Sequence, residues 1–546
     1  MAERTSPQPR VARSVERLAD ALSLALLGAV AIIAALTFRH YGLGWDDYTH
    51  AEYGGLLLRL YGSGFTDQRA LSFVNLYAYG GGFDMVAALV AKILPFDLFE
   101  TRRLVGAAAG IAGLFIVWRI ARRLGGPLAG LLALALLMTC PLYYGHMFIN
   151  PKDAPFAVAM ALLALGLVRA FDAYPTPSIA TIALVGIGFG LSFGARVMGA
   201  LAVIPAAASL GVILAVEARK DTHDALRRAG RFLLRLLPAL LIAYAVMAVV
   251  WPWSVVSPLN PLRALFYFSH FFEKPWQELF DGTILEVTDM PRRYVPTLLF
   301  FKVPEVFSVL GLAGALGALA ATANAAVPVE RRAALLFLAV SALFPIAYAV
   351  LTRPAGYNGV RHFVFVLAPF AVLGGLAGAW LIARTMRVSQ IGAAAVAVLI
   401  VARLVEPTVA IFSLHPYEYT YFNALAGGVK GADGRHMLDY WGLATKEAAQ
   451  GLRAKLAAAD EQPSPGRRWR VAVCGPQRSA QVGLGRDFAT QWQPQDADFA
   501  LSLGAFYCAK IDAPVLVEIA REGVVLARVY DIRGREIPTL LTQPPP

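Results

Sequence analysis

The chain has 546 residues, 58% of them hydrophobic, and a formal net charge of +12. Its apolar residues come in runs long enough to cross a bilayer, which excludes an ordinary soluble domain, and a transmembrane β-barrel would show short alternating segments instead. The basic residues sit in short loops between those runs, so loop topology accounts for the charge and nucleic acid is not an expected partner. Zinc-type Cys/His spacing, a Walker A loop and a dinucleotide fingerprint are all missing from the sequence.

Arg10, Arg13 and Arg17 precede an apolar run from Ala19 to Phe38. That run ends in Phe38-Arg39-His40 without a small-residue cleavage site, so it reads as an uncleaved anchor after a cytoplasmic segment, residues 1–18. A long outer loop, 39–103, follows. Two amphipathic stretches in it, His50–Tyr61 and Phe83–Leu94, flank Gly80-Gly81-Gly82 and are expected to lie along the interface.

The second span, Leu104–Ile120, ends in the cytoplasmic signal Arg119, Arg122 and Arg123. The third runs out from Pro127 to Phe148 and the fourth inward from Ala154 to Phe171. The fifth and sixth, Ser178–Gly194 and Met198–Val216, flank Arg196. A basic cytoplasmic stretch, Arg219–Arg231, leads into a seventh span ending near Trp253. After an outer loop, 254–297, further spans start near Pro304, Ala333 and Phe363, and the last ends near Ser413. Residues 19–413 thus form an all-α polytopic domain of about eleven transmembrane helices with the C-terminus outside.

Residues 414–546 read as a small α/β extracytoplasmic domain. It opens with His415-Pro416-Tyr417-Glu418-Tyr419-Thr420-Tyr421-Phe422, an aromatic stretch suited to the membrane interface. A helix is expected over Lys446–Ala459. Strands are expected over Arg470–Cys474, Phe499–Leu503, Val515–Ala520 and Val524–Tyr530, the last two joined at Arg521-Glu522-Gly523. Gln543-Pro544-Pro545-Pro546 reads as a frayed tail. Cys474 and Cys508 predict a disulfide if this domain faces an oxidising compartment, with two buried thiols as the alternative.

The outer mouth collects Asp46, Asp47, His50, Glu52, Lys152, Asp153, Arg196, Arg292, Arg293, Glu305, Arg353, Arg361 and His362. Several are cations on the side where lysine and arginine should be scarce, and an anionic ligand supplies a reason. Carboxylates beside phosphate-binding cations suit one chemistry. A lipid-phosphate-linked donor loses its phosphate to the cations, while a carboxylate takes the proton of the attacking hydroxyl.

Asp46-Asp47-Tyr48-Thr49-His50-Ala51-Glu52 after the first span and Asn150-Pro151-Lys152-Asp153-Ala154-Pro155 at the fourth resemble the C-type membrane glycosyltransferases that use polyprenyl-phosphate sugars. Within them the chain resembles bacterial relatives of protein O-mannosyltransferase and of the lipid A aminoarabinose transferase (family 39). The resemblance implies a glycosyltransferase in the bacterial inner membrane, with its active site and C-terminal domain periplasmic. It implies Asp46 as catalytic base and Asp153 as its partner. Members of the family have Asp-Glu at the first site, so Asp47 departs from the pattern. Asp47, Glu52, Lys152, Arg196, Arg361 and His362 are the candidate substrate-binding residues. The donor would be a polyprenyl-phosphate-linked sugar, and the acceptor a glycan, lipid or protein hydroxyl. Asp46 and Asp153 also suit a divalent cation, magnesium or manganese, although the sequence shows no defined cage.

Plainer readings stand beside these. Asp46 and Asp47 could solvate a loop. Asn150 as N-cap, Pro151 at N1 and Asp153 at N3 make a good helix start, which leaves Lys152 unexplained. Pro304-Glu305 reads as a helix start too, Arg361-His362 could snorkel to headgroups, and Arg403 with Glu406 reads as an internal ion pair. A transporter or lipid flippase is a rival, though it would place charges near mid-membrane on repeated halves. A non-catalytic envelope assembly protein is another.

Overall fold

The computed structural model describes residues 10–269 and 276–542. Residues 1–9 and the proline-rich end, 543–546, lie outside the described residues. Among the described residues, nine helices are long and apolar enough to cross a membrane. The chain begins with α1 (Arg10–Thr37), followed by α2 (Asp47–Gly62) and α3 (Gly82–Val90) in the first long loop. Then come α4 (Leu98–Met138), the short α5 (Pro141–Ile149), α6 (Asp153–Asp172), α7 (Ile179–Ala195), α8 (Val203–Glu217) and α9 (Thr222–Val250).

Helix α4 is two helices. Gly126 breaks it with φ 81° and ψ −178°, a conformation that glycine adopts without penalty, and Pro127 opens the second half where its missing N–H costs nothing. Taking both halves of α4 and the shorter α7 as crossings meets the expected total of about eleven. The expected third span is itself in two pieces, the second half of α4 and α5, and every residue of α5 is buried.

The second long loop is more ordered than the sequence suggested. It holds α10 (Trp253–Val256), α11 (Asn260–Ser269), an antiparallel hairpin of β1 (Gln277–Phe280) and β2 (Thr283–Glu286), and α12 (Tyr294–Lys302). Four long helices complete the bundle: α13 (Glu305–Ala323), α14 (Val329–Thr352), α15 (Leu367–Met386) and α16 (Gln390–Leu414).

One end of the bundle is laced by ion pairs that the loop charges foreshadowed. Arg122 grips Asp20 at 2.6 and 2.7 Å, Arg123 meets Asp172, and Arg228 meets Glu217. The other end holds the first long loop, the start of α6, the end of α7 and the approach to α15. That end carries the C-terminal residues.

Beyond α17 (Gly428–Ala432) and α18 (Thr445–Ala458) lies a five-stranded sheet of order β4-β3-β5-β7-β6. Its strands are β3 (Trp469–Cys474), β4 (Phe488–Gln491), β5 (Phe499–Leu503), β6 (Val515–Arg521) and β7 (Val524–Asp531), with α19 (Gln477–Leu484) between β3 and β4. Strands β3, β4 and β5 are parallel, while β7 runs against both β5 and β6. The β6–β7 turn puts Glu522 and Gly523 at φ 50° and 79°, as a tight hairpin turn of the primed kind requires. Cys474 and Cys508 form a disulfide, and Cys140 is a buried free thiol.

Three expectations are corrected. Tyr417, Tyr419 and Tyr421 are not a membrane belt: all three are buried, and the buried Lys302 ammonium donates to the carbonyls of Tyr419 and Tyr421. The chain between α16 and α18 therefore packs into the end of the bundle rather than into a body of its own. Arg403 pairs with Glu305 at 3.7 Å, not with Glu406, which accepts the Tyr421 hydroxyl at 3.0 Å.

The loop between α1 and α2 is threaded between the bundle and the C-terminal residues. A Cβ on Gly44 would lie 1.6 Å from Trp441 Cδ1, and one on Gly42 would lie 2.3 Å from the Leu443 carbonyl oxygen. Gly44→Ala should therefore lower the thermal midpoint by several degrees. Gly55→Ala, on α2 with no neighbour within 4 Å, should be neutral or stabilise by ~0.5–1 kcal/mol. Thermal unfolding of both variants in detergent checks the pair; equal midpoints would contradict it.

Candidate active site

Asp46 is the residue that caps α2, but its carboxylate makes no capping bond. It faces Lys152 Nζ at 3.7 Å and Arg361 Nη1 at 3.6 Å. The same Arg361 nitrogen lies 3.9 Å from Asp153, whose other oxygen pairs with Arg196. Asp46, Lys152, Asp153, Arg196 and Arg361 thus come together from four distant stretches of chain. His362, next along, sets its ring edge against Tyr357 with centroids 4.9 Å apart.

Each member is held for a local reason. Asn150 bridges the end of α5 and the start of α6. Its Oδ1 accepts the N–H of Lys152 at 3.1 Å and of Asp153 at 2.8 Å, while its Nδ2 donates to Asp153 Oδ2 at 2.9 Å. The helix-start reading is corrected in register: α6 begins at Asp153 with Lys152 in the N-cap position, while Asn150 holds the turn before it and orients the Asp153 carboxylate. Arg196 ends α7 in extended conformation. Gly80 packs so tightly on the Gly194 carbonyl that a Cβ would lie 1.6 Å from it, which seats Tyr79 beside the cations. Lys152 Nζ and the Arg196 guanidinium lie 5.0 and 5.7 Å from the Tyr79 ring centroid. Arg361 opens a 3₁₀ turn, with its guanidinium 4.9 Å from the centroids of both Tyr357 and Trp441.

The approach to Arg361 is braced by a buried glutamate that sequence reasoning missed. Glu278 on β1 accepts the N–H of Asn358 at 2.9 Å and of Gly359 at 3.3 Å, plus the Tyr294 hydroxyl at 3.3 Å. Burial pushes this carboxyl up to about 7, against the pull of those donors. Nothing in the local sequence marks it, because its backbone partners are about eighty residues away.

Two predicted site residues are placed elsewhere. Asp47 is fully buried in a two-pronged grip with Arg103, at 2.8 and 2.5 Å, and also accepts the Gly44 N–H at 2.8 Å. Arg103 goes on to the Gly42 carbonyl at 2.6 Å. Asp47 therefore fixes the loop and is corrected from a substrate contact to a positioning residue. Glu52 points into solvent from α2. His50 is buried, bonded through Nδ1 to Asp84 at 2.6 Å, and Asp84 in turn meets Arg102 at 2.7 Å. Of the remaining mouth cations, Arg292 and Arg353 bond backbone carbonyls and Arg293 pairs with Asp281.

The cluster carries three cations against two carboxylates, an excess of positive charge where desolvation makes any charge costly. Arg361 is 3% exposed, yet its Nε and Nη1 have no hydrogen-bond acceptor among the described residues, and neither does Arg196 Nε. Buried donors of this kind call for a missing partner, and an anion is the partner that fits guanidinium groups. Burial works to raise the Asp46 carboxyl, but Lys152 and Arg361 outweigh it and hold it at about 2. The arrangement does not suit a divalent ion: Arg361 already stands between the two carboxylates, and no group of three candidate ligands occurs among the described residues.

The family model that matches the sequence is that of the dolichyl-phosphate-mannose-protein mannosyltransferases, over residues 82–253. That match covers less than half of the chain. That stretch contains Lys152, Asp153 and Arg196 and excludes Asp46 and Arg361. No curated protein matches the chain. Among solved structures, the chain is similar to ArnT from Cupriavidus metallidurans in the apo state, at 15% identity over 93% of this chain and 97% of that one, with a TM-score of 0.49. The same protein bound to undecaprenyl phosphate gives 17% identity, the same coverage and a TM-score of 0.47. The oligosaccharyltransferase of Archaeoglobus fulgidus gives 14% identity over 87% of this chain and 65% of that one, with a TM-score of 0.49.

The two adjacent aspartates should behave differently. Asp47→Asn leaves Arg103 buried and unpaired and should cost ~3–5 kcal/mol of stability. Asp46→Asn, at a carboxylate about one-third exposed, should cost about 1 kcal/mol or less. Thermal unfolding of the two variants side by side measures this, and a reversed order would contradict the assignment.

Proposed function

We propose that the protein is an integral-membrane glycosyltransferase that moves a sugar from a polyprenyl-phosphate carrier to an acceptor hydroxyl. The reaction takes place on the periplasmic face of a bacterial inner membrane. The observation that carries this reading is the buried Arg361 guanidinium, with unpaired N–H groups, set between the carboxylates of Asp46 and Asp153. The family match over residues 82–253 supports the reaction class.

In this reading the carrier phosphate lies on Arg361, Arg196 and Lys152. As the bond between the sugar's anomeric carbon and the phosphate oxygen breaks, those cations take up the charge of the departing phosphate. The acceptor oxygen attacks the same carbon, and its proton passes to Asp46. A carboxylate held near 2 is a weak base when the cations around it are free. A bound phosphate neutralises those cations and so raises its basicity. The hydroxyl also becomes acidic only as the new bond forms, so the transfer is late. Asp153 and Asn150 act on this chemistry by fixing Arg196 and Arg361.

A transporter would carry its functional charges near mid-membrane on broken helices. Here they gather at the start of α6 and the end of α7, which favours chemistry at one mouth.

The test uses the full chain in nanodiscs with undecaprenyl phosphate as the probe. Arg361→Ala should weaken its binding by about 10–100-fold, the loss of charge-assisted hydrogen bonds. Asp46→Asn should bind it at least as tightly as wild type, yet fail to restore the envelope glycans of a deletion strain, as read by mass spectrometry. Restoration to wild-type levels by Asp46→Asn would contradict the proposal.

A further inference from the structure

Three aromatic side chains lie exposed beside Asp46. Trp45 and Tyr48, in the loop and first turn of α2, are each 41% exposed, and Trp492, just after β4, is 51% exposed. The Trp45 and Trp492 rings run within 10° of parallel, with centroids 6.5 Å apart. The exposed Arg478, on α19, holds its guanidinium 4.7 Å from the Tyr48 ring centroid. Trp45 is itself held: its backbone N–H donates to the Trp441 carbonyl at 3.3 Å.

The surface belongs to the sheet as much as to the loop. Trp492 lies at the C-terminal end of β4, α19 follows the C-terminal end of β3, and the Cys474–Cys508 disulfide ties β3 to the chain beyond β5. The crevice outside the C-terminal ends of parallel strands is the place where such sheets bind ligands. Here those strand ends lie against the loop bearing Asp46, where Ser479 Oγ donates to the Gly44 carbonyl at 3.1 Å.

Exposed tryptophans on a membrane protein ordinarily belong to an interfacial belt. The neighbours of Trp492 argue otherwise. Its loop reads Gln491-Trp492-Gln493-Pro494-Gln495-Asp496, and Gln493, Gln495 and Asp496 are all exposed. Amides and a carboxylate belong in water, not among acyl chains. Gln491 braces the loop by donating to the carbonyls of Gln493 and Gln495, both at 2.7 Å. Flat indole faces, amide groups and a guanidinium together suit a sugar ring. Its C–H face packs on an indole while its hydroxyls bond the polar groups around it.

We infer that Trp45, Tyr48, Arg478 and Trp492 form a carbohydrate-binding platform on the acceptor side, so that the acceptor is a glycan. This rests on Asp46 being the base: Trp45 adjoins Asp46 in the chain, and a sugar lying on the platform presents a hydroxyl to that carboxylate.

The experiment titrates the full chain in nanodiscs by calorimetry with two probes. One is the water-soluble polysaccharide released from the producing organism's cell envelope, and the other is undecaprenyl phosphate. Trp492→Ala and Arg478→Ala, both at exposed positions, should each weaken polysaccharide binding by about tenfold or more and leave undecaprenyl phosphate binding within about twofold. If wild type binds no polysaccharide, or both variants bind it as wild type does while undecaprenyl phosphate still binds, the platform is overturned and the catalytic reading survives. Competition at the platform by peptides from envelope proteins, with none by polysaccharide, would also overturn it. If undecaprenyl phosphate fails to bind wild type, the catalytic reading falls and the platform's role falls with it.

Discussion

A buried guanidinium between two carboxylates holds the mouth of this bundle together. Arg361 meets Asp46 from the first loop and Asp153 from the start of α6, and Asp153 passes the contact on to Arg196 at the end of α7. None of these charges would be stable there alone, since an isolated charge out of water costs several kcal/mol. Each is tolerated because the others are present. The set is nevertheless unbalanced toward positive charge, and its donors are not all used. Unused donors occur at the structural Arg102 and Arg103 too, so the excess of positive charge is what favours the proposed binding centre over a purely structural ion-pair network.

The surrounding fold serves to keep this set in place. Asp47 and Arg103 lock the first loop, Asn150 locks the start of α6, and Glu278 locks the approach to Arg361. Glycines at 42, 44 and 80 let backbone and rings approach where a Cβ would collide. The C-terminal residues are part of the same device. Trp441 stacks near Arg361, and the parallel strands end against the loop that bears Asp46. Groups supplied by the helical bundle and by the C-terminal residues thus meet at one surface.

Much of this was legible in the sequence because long apolar runs and loop charge are strong local signals. The spans and the cations Lys152, Arg196 and Arg361 followed from them, and four of the C-terminal strands followed from short strand and hairpin signals. What escaped depends on contacts between distant residues. Asp46 and Asp47 are indistinguishable by type, and only the position of Arg103 tells that one is spent on the fold. Glu278 lies in a loop whose hairpin is too short to show a periodicity, and its backbone partners, Asn358 and Gly359, come after α14. The tyrosines after α16 have the composition of a belt, and only tertiary packing buries them. Strand β4, four residues with partly polar character, carried no alternation that could be read. The pair Arg403 and Glu406 had ideal helical spacing, yet each found a partner on another segment.

The most direct measurement is a cryo-electron microscopy map of the full chain in nanodiscs with undecaprenyl phosphate. The account predicts phosphate oxygens within ~3 Å of the Arg361 guanidinium, with Asp46 facing the same cavity and Arg196 still on Asp153. A phosphate seated away from Arg361, with that guanidinium undisturbed between its two carboxylates, would contradict it.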